Sequence, residues 1–560
     1  MTRRLLAVLF ASAALSAAAQ TTTTARYIVG TRAAGKAAAA RMLQTDEAVR
    51  VHAVRAFDSV PAFAASLTPD EAAALRSSPG VRYVQPVVER HLADVPSAPR
   101  PIRPIATSSP FELAQTVPYG IDLVHARAVW PVTKGKPVHV VVFDTGIDVT
   151  HPDLKRAYAG GYNTYDQSAL PVDDNQHGTH VAGIIAAADN NVGVVGVAPD
   201  VDLWAIKVLD KYGYGADENV IAGIDFTLQK KKELGGNWIV NFSFTSDTIS
   251  DAEAEAIGKL ITAGVLPVAA SGNVGFAQVE YPAAYPGVVA VGAIDSNSVR
   301  ADFSSYGAQL ALVAPGVDVY SCVLVGTVPA GSASLVNGIT FPGGTLVGAK
   351  RDQVTAPLIN CGLANPEDIP AEVRGRIALI ERGGITFSEK VRNLVVAGAV
   401  GVVIYNVDDT SPFTTWTLIR PDCTPDGCAP FTDDVTFNWP VVVALDNTDG
   451  LKLLAPAASS VTITIAGWDG DYGTLSGTSM SAPHVCGAAA LAWASAPSAT
   501  AVDVHNALIL TARDIEAPGA DQHTGWGVVD AAAAAKFLNP IAFGVPPLPP
   551  APPHGHVAHP

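Results

Sequence analysis

Residues 139–146 have the sequence HVVVFDTG, a nearly continuous apolar run that ends in a carboxylate and a turn. Further apolar runs follow at residues 203–208, 238–242 and 266–270. Strands that are apolar along most of their length are typical of a parallel sheet that helices cover on both faces. We therefore expect an α/β fold with a doubly wound parallel sheet. Because such sheets build their sites at the carboxyl ends of strands, Asp144 is a candidate functional residue.

Two more motifs supply groups that can act together with a carboxylate. His177 begins the segment HGTHVAG, and Ser479 lies within GTSMSAP, just before an apolar helical run. Ser479 is thereby placed at a helix N-terminus, where free N–H groups and the helix dipole favour developing negative charge. The chain order Asp, His, Ser is that of subtilisin, whereas chymotrypsin-like and α/β-hydrolase enzymes have other orders. Together the motifs resemble those of the subtilisin-like serine proteases, the S8 subtilase family, over roughly residues 112–325 and 468–538.

The resemblance implies a subtilisin-like fold and a role for each of these residues. Ser479 would be the nucleophile, His177 the general base and then acid, and Asp144 the group that orients and stabilises the imidazolium. Asn273 ends the segment ASGN and matches the family's oxyanion asparagine. His180, three residues after the catalytic position, is expected to pack beside it.

Substrates of this family add an extended strand between two backbone segments of the enzyme. Gly213–Gly215 matches one of these segments and Ser243–Thr245 the other. Thr245 stands where the family usually has a glycine, and its side chain would narrow the entrance of the S1 pocket. Glu280 falls where the family places the base of that pocket, and a buried carboxylate there would favour Lys or Arg at P1, the residue before the scissile bond. The alternative is a Glu280 side chain that points to solvent. The predicted substrate-binding residues are Gly213, Tyr214, Gly215, Ser243, Phe244, Thr245, Ala270, Ser271, Gly272 and Glu280.

A polar turn over residues 188–194 interrupts the helix that His177 begins. Its carboxamides and free carbonyls suit Ca²⁺, a hard cation that takes six to eight oxygen ligands. The family resemblance implies a structural calcium site, whereas no catalytic cofactor is expected. An ordinary polar loop is the alternative. The predicted metal ligands are Gln115, Asp153, Ala188, Asn190, Val192 and Val194.

The N-terminus has the pattern of a secretory signal peptide. Arg3 and Arg4 precede the apolar residues 5–15, and three alanines follow at residues 17–19. This run falls short of the roughly 20 residues that span a bilayer, which argues against a membrane anchor. We expect residues 1–19 to be removed on export and the protein to be secreted and extracellular, without stable membrane insertion.

Residues 26–94 have the pattern of a small α+β domain. Its helix should begin with Thr68 as N-cap, Pro69 at the first helical position and Glu71 two residues later. The domain resembles the inhibitor-I9 prodomain, which implies that the protein's own prodomain is an intramolecular inhibitor until self-cleavage. Five prolines between residues 96 and 110 indicate a linker or processing region over residues 95–113, with the cut expected between Val95 and Ala114.

An insert divides the predicted catalytic domain into residues 114–325 and 468–540. Residues 326–467 are too many for a loop without its own core, so they are expected to form a domain. This segment resembles the protease-associated (PA) domain, although Ile385 stands where that family often has a cysteine. The domain could act as a lid over the substrate cleft, or it could have no effect on catalysis. Both alternatives remain open.

The five cysteines and the C-terminal tail carry weaker signals. Cys423 and Cys428 could form a local bridge, Cys322 could pair with Cys361, and Cys486 is expected to be a buried free thiol. Residues 541–560 are rich in Pro, Ala and His, so we expect a disordered tail, with weak metal binding by its histidines as the alternative.

Composition narrows the classes of function. The 560 residues carry a formal net charge of −16, which disfavours nucleic acid as a partner. We expect a secreted serine endopeptidase, made as a self-processing zymogen, with protein or peptide substrates. The rival hypothesis is a non-catalytic protein that keeps the subtilase fold and binds peptides without cleaving them, with the PA domain as its recognition module. An α/β-hydrolase esterase is excluded by the chain order and by the lack of Gly-x-Ser-x-Gly around Ser479.

Overall fold

A computed structural model describes residues 24–32, 53–92, 115–408, 416–419, 421–424, 427–430 and 432–544. The predicted signal peptide and the linker at 95–113 lie outside the described residues, as does the tail beyond residue 544. Among the helices of the described ranges, none has the length and apolarity needed to cross a membrane. The chain divides into two compact units, residues 1–87 and 88–560.

The first unit is an antiparallel sheet with a helix packed on it. Its strands have the order β2-β3-β1-β4. The predicted capping box is present, because Glu71 N donates to Thr68 Oγ1 at 3.2 Å and Thr68 N donates to Glu71 Oε2 at 2.7 Å. The elements are β1 (Ala25–Thr31), β2 (Ala53–Ala56), β3 (Ala62–Leu67), α1 (Pro69–Arg76) and β4 (Val81–Pro86).

The second unit contains the predicted parallel sheet, with strand order β14-β13-β12-β10-β6-β8-β7. Its strands and helices alternate as the apolar runs indicated. The strands up to the insert are β5 (Glu89–Leu92), β6 (Val138–Asp144), β7 (Tyr158–Asn163), β8 (Asp202–Lys207), β9 (Tyr214–Ala216), β10 (Asn237–Phe242), β11 (Phe244–Thr245), β12 (Val265–Ala270), β13 (Val289–Ile294), β14 (Leu310–Pro315) and β15 (Val319–Cys322). The helices are α2 (Tyr119–Leu123), α3 (His177–Ala186), α4 (Asp217–Leu234) and α5 (Asp251–Thr262), with a 3₁₀ turn at Ala126–Ala128.

The insert is a closed barrel with strand order β16-β17-β23-β20-β19-β18-β24. It runs from Val328 to Gly470, close to the predicted 326–467. The strands are β16 (Val328–Leu335), β17 (Thr340–Thr345), β18 (Gln353–Asn360), β19 (Ile377–Glu381), β20 (Gly401–Tyr405), β21 (Pro421–Thr424), β22 (Gly427–Pro430), β23 (Val441–Leu445) and β24 (Thr462–Gly470). The helices are α6 (Phe387–Ala397), α7 (Thr432–Thr436), α8 (Asn447–Lys452) and α9 (Leu454–Ala458), with 3₁₀ turns at Pro366–Asp368 and Ala371–Val373.

After the barrel the chain returns to the parallel sheet. Strand β25 pairs with β15 in antiparallel fashion, so the two ends of the insert are adjacent and the barrel interrupts the sequence without interrupting the core. The final elements are β25 (Tyr472–Leu475), α10 (Thr478–Ser495), α11 (Ala501–Leu510), α12 (Ala531–Leu538) and a 3₁₀ helix at Pro540–Phe543, which includes the first residues of the predicted tail.

Helices cover both faces of the sheet. On one face, α3 and α10 share a core with the sheet residues Val140 and Val142. On the other face, α4 approaches so closely that a Cβ on Gly223 would lie 2.6 Å from the ring of Phe143. The predicted doubly wound α/β class is confirmed by this arrangement.

The suggested Cys322–Cys361 bridge is wrong. Both thiols are free and buried, because Cys322 belongs to the core of the parallel sheet and Cys361 to the separate core of the barrel. Cys486 is a buried free thiol, as expected. Cys423 and Cys428 lie opposite each other in the β21–β22 ladder.

Candidate active site

Two of the candidate residues meet where β6 ends and α3 begins. Asp144 is the last residue of β6 and is fully buried, and His177 is the first residue of α3. The His177 Nδ1 atom lies 2.8 Å from Asp144 Oδ1 and 3.0 Å from Oδ2. A buried carboxylate needs hydrogen-bond donors, and Thr145 N supplies another at 2.7 Å. The pair therefore has the geometry in which a carboxylate fixes the orientation of an imidazole.

The turn after β6 and the start of α3 pack without space for side chains. A Cβ on Gly178 would lie 2.1 Å from the carbonyl oxygen of Gly146. Gly178 N donates to Thr145 Oγ1 at 3.0 Å, and Thr145 Oγ1 donates to Asp173 Oδ1 at 2.8 Å. Neither Thr145 nor Asp173 was predicted as a positioning residue, since their roles depend on contacts across about 30 residues of chain.

Ser479 lies in the first turn of α10, a helix that is buried at every residue. Pro483 lacks an N–H, so the carbonyl of Ser479 loses its donor within the helix. Ser243 Oγ replaces that donor at 2.8 Å, and in return Ser479 Oγ donates to the carbonyl of Ser243 at 3.0 Å. The hydroxyl is thereby held at the edge of the predicted substrate segment.

Asn273 is held beside Ser479 by the residue that precedes the serine. Its Oδ1 accepts hydrogen bonds from Thr478 N at 2.9 Å and from Thr478 Oγ1 at 2.8 Å. The side-chain oxygen accepts both bonds, and the amide nitrogen is the donor of the same side chain. The structure thus places Asn273 one hydrogen bond away from the residue that precedes Ser479.

His180 is not suited to act as a base. It is fully buried, and its Nε2 lies 2.9 Å from the carbonyl of Val319 and 3.2 Å from that of Gly473. Burial lowers the pKa of His180 to about 3, so the ring stays neutral at ordinary pH. Its surroundings agree with the expected packing role.

The two predicted substrate segments lie on either side of a strand from the chain itself. Strand β5 pairs antiparallel with β9 on one side and with β11 on the other. Arg90 lies opposite Gly215, Leu92 lies opposite Phe244, and Leu92 N donates to the carbonyl of Gly213 at 2.9 Å. Gly213 has φ +82°, and a Cβ there would lie 2.7 Å from the Leu92 side chain. The cleft thus holds an extended peptide by main-chain hydrogen bonds.

The alternative of a solvent-directed Glu280 is wrong. Only 6% of Glu280 is exposed, and burial raises the pKa of its carboxyl. Gly272 lies against this carboxylate, since a Cβ on Gly272 would be 2.5 Å from Glu280 Oε2. Glu280 N donates to the carbonyl of Ser271, which follows Ala270 at the end of β12. The carboxylate is therefore enclosed next to the segment that carries Asn273.

The predicted calcium ligands lie together around the turn at residues 188–194. Gln115 Oε1 accepts from the N–H groups of Asn190 at 2.8 Å and Asn191 at 2.7 Å. Asp153 accepts from Asn190 Nδ2 at 2.8 Å and from Val194 N at 3.1 Å. The donor set of one carboxylate, two carboxamides and the carbonyls of Ala188, Val192 and Val194 fits Ca²⁺ chemically, and a cation would share the side-chain oxygens with these hydrogen bonds.

Three family profiles match separate parts of the chain. The subtilase family profile matches residues 135–341, the PA domain profile residues 354–453 and the peptidase inhibitor I9 profile residues 17–93. The subtilase match ends within the insert, so it does not include Ser479. The I9 match extends through β5, the strand that occupies the cleft.

Individual relatives agree with these profiles. Subtilisin DY of Bacillus licheniformis is 43% identical over 241 residues, which cover 42% of this chain and 84% of the relative. The alkaline protease of Alkalihalobacillus alcalophilus is 36% identical over 309 residues, covering 55% of this chain and 73% of the relative.

Two solved structures share the fold. The psychrophilic subtilisin-like protease Apa1 from the Antarctic psychrotroph Pseudoalteromonas sp. AS-11 is 28% identical, with a TM-score of 0.53 and coverage of 77% of this chain and 99% of that one. Fervidolysin from Fervidobacterium pennivorans, a keratinolytic enzyme related to subtilisin, is 22% identical, with a TM-score of 0.57. The match covers 92% of this chain and 61% of that one. At this identity the second likeness supports the fold alone.

The position of Asn273 generates a kinetic prediction. Asn273→Ala should lower kcat on a peptide substrate by about 10²–10³-fold, because a preorganised donor acts on charge that develops in the transition state. KM should change little, since the ground-state carbonyl carries less charge. The measurement is steady-state kinetics on enzyme normalised by active-site titration, and full activity in the variant would remove Asn273 from the oxyanion site.

Proposed function

The chain belongs to the subtilase family of serine endopeptidases, and from this premise we propose that Asp144, His177, Ser479 and Asn273 hydrolyse peptide bonds in an exported enzyme. The observation that carries the proposal is the buried contact between Asp144 and His177 Nδ1, at 2.8 Å. The match to the I9 profile supports a proteolytic zymogen, and the match to the PA profile supports an inserted domain.

The chemistry follows from the protonation of His177. With Nδ1–H donated to Asp144, the Nε2 atom carries the lone pair and can act as a base. The Ser479 hydroxyl transfers its proton to Nε2 as Oγ attacks the scissile carbonyl. The negative oxygen of the tetrahedral intermediate is then met by Ser479 N–H and the amide of Asn273.

The intermediate collapses when the C–N bond breaks and His177 returns the proton to the leaving amine. Water then attacks the acyl-enzyme by the same route, with His177 again taking a proton and passing it to Ser479 Oγ. Asp144 remains ionised throughout and stabilises the imidazolium that forms twice in each cycle.

We propose that β5 is the inhibitory end of the prodomain. The antiparallel register pairs Leu92 with Phe244 and His91 with Thr245. Residue 93 lies outside the described residues, and continuing the register by one residue would pair it with Ser243. Ser243 is the residue that exchanges hydrogen bonds with Ser479, so a peptide continuing the register would pass the proposed nucleophile at residue 93. The register favours a cut after residue 93, two residues before the interval that the proline-rich linker suggested. Export rests on the N-terminal sequence pattern.

Covalent labelling separates the proposed enzyme from a binding protein with the same shape. A fluorophosphonate should label the mature wild-type protein at Ser479, because only an activated hydroxyl displaces the leaving group. The Ser479→Ala variant should not be labelled and should remain uncut, whereas the wild type should acquire residue 94 as its N-terminus. Cys486→Ser, which removes a thiol outside the triad, is the matched control for non-specific reaction.

A wild-type protein that folds, releases its prodomain and yet takes up no label would argue for the binding protein. Mass spectrometry of the labelled chain and N-terminal sequencing supply the two readouts.

A preference for a basic P1 residue follows from the enclosed Glu280 carboxylate. On a peptide library, kcat/KM should favour Arg or Lys at P1 over Leu, because an enclosed charge is best offset by an opposite one. Glu280→Gln keeps the shape of the side chain and should reduce the Arg-to-Leu ratio by about 10-fold or more. The exposed Asp251→Asn is the control. A wild-type library profile led by Leu or Phe would contradict the assignment.

Calcium should stabilise the mature fold through the turn at residues 188–194. A ligand that binds only the native state raises the free energy of unfolding. Chelation with EGTA should therefore lower the Tm of the uncut Ser479→Ala protein, which cannot digest itself, by about 5 °C or more. In Asp153→Asn, which removes the charged ligand, the Tm should no longer depend on Ca²⁺. An unchanged Tm on chelation of the parent would support the ordinary polar loop.

A further inference from the structure

The strand in the cleft carries a fully buried arginine. Arg90 has no exposed surface, and its guanidinium forms a bidentate pair with Glu253, with Nε 3.2 Å from Oε1 and Nη2 2.5 Å from Oε2. Nη1 donates to the carbonyl of Thr248 at 3.3 Å. Because an isolated charge is costly to bury, this pocket is built for a fork of N–H donors rather than for an apolar side chain.

The acceptor belongs to the body of the enzyme. Glu253 lies in the first turn of α5 and is itself fully buried. Tyr285 Oη donates to Glu253 Oε2 at 3.0 Å, and Glu253 N donates to Ser250 Oγ at 3.2 Å. The first contact orients the carboxylate and the second fixes its backbone, and neither partner belongs to β5. We therefore expect the pocket to remain when the strand leaves.

A second acidic group borders the same strand. Asp217 begins α4 and is fully buried, and its Oδ1 accepts from Val88 N at 3.2 Å. The pocket therefore combines two carboxyl groups with a carbonyl and a phenol. A neutral aliphatic side chain would leave Glu253 desolvated without a positive partner.

The register assigns the pocket to a substrate position. The proposed cut after residue 93 continues the observed pairing of Leu92 with Phe244 by one residue, which makes Arg90 the fourth residue before the cut, P4. We propose that the pocket around Glu253 is an S4 subsite that selects arginine, so that the mature enzyme cleaves extended peptides with Arg at P4. This inference rests on the proposed function, and it adds a substrate class to it.

Arginine should be preferred to lysine at this position. A guanidinium reaches both oxygens of Glu253 and the carbonyl of Thr248 at once, whereas an ammonium is a single point of charge. The expected order of kcat/KM is Arg above Lys, with Leu and Ala far below.

The test uses mature wild-type enzyme and four peptides that differ only at P4. Their sequence is X-His-Leu-Ala followed by a chromogenic amide, with X as Arg, Lys, Leu or Ala. We expect kcat/KM for Arg to exceed that for Leu by on the order of 100-fold. Glu253→Gln should reduce this ratio to about 10 or less, and Glu255→Gln on the same helix should leave it unchanged.

A second measurement needs no enzyme variant. The hexapeptide VERHLA, residues 88–93, should inhibit the wild-type enzyme competitively, and replacing its arginine by leucine should raise the inhibition constant by on the order of 100-fold. Equal constants for both peptides, or equal kcat/KM for Arg and Leu at P4, would overturn the S4 inference.

The proposed function has its own readout in the same experiment. An enzyme that is fully labelled by fluorophosphonate but indifferent at P4 keeps its assignment as a protease, and Arg90 is then an anchor of the inhibitor alone. An enzyme that takes up no label and cleaves none of the four peptides would overturn both proposals.

Discussion

A carboxylate buried at the end of β6 is the constraint on which the active site depends. Asp144 has no exposed surface, so its charge must be met by donors from the protein. The peptide N–H of Thr145 and the imidazole of His177 meet it, and the second of these requires α3 to begin within hydrogen-bonding distance of the strand. That approach is possible because residues 146 and 178 are glycines. The cost of burying one charge therefore determines the local packing, the orientation of the base and its tautomer together.

Helix α10 imposes a second constraint, which connects the nucleophile to the substrate. Pro483 leaves the Ser479 carbonyl without its helical donor, and Ser243 fills that place while its own carbonyl accepts from the Ser479 hydroxyl. Ser243 directly precedes β11, one of the two strands that hold the peptide. The backbone of Ser479 and the backbone next to the strand that pairs with β5 are thus fixed to each other by two hydrogen bonds.

Features with a local cause could be predicted from the sequence. The apolar run at residues 139–143 specifies a buried strand by its composition, and the capping box at Thr68 specifies a helix start within four residues. Pairings across long stretches of chain could not be predicted. Arg90 and Glu253 are 163 residues apart, and neither lies in a motif. The suggested Cys322–Cys361 bridge failed for the same reason, because spacing does not reveal that each thiol enters a different core. The burial of Glu280 also needed coordinates, since both an inward and an outward side chain suited its sequence.

The two enclosed carboxylates explain how such a cleft can discriminate at all. Main-chain hydrogen bonds from β9 and β11 accept any extended peptide, because every residue except proline presents the same N–H and C=O groups. Selectivity must therefore come from pockets whose desolvation is offset by one kind of side chain only. In the proposed specificity, the buried carboxylates of Glu253 and Glu280 would form two such pockets, each costly to fill with an apolar group. Strand β5 places Arg90 in the first of these pockets, so the strand is held by a side-chain contact as well as by its main-chain pairing. If β5 leaves after the proposed cleavage, Glu253 loses the partner that it has in this structure, and its charge becomes available to a substrate.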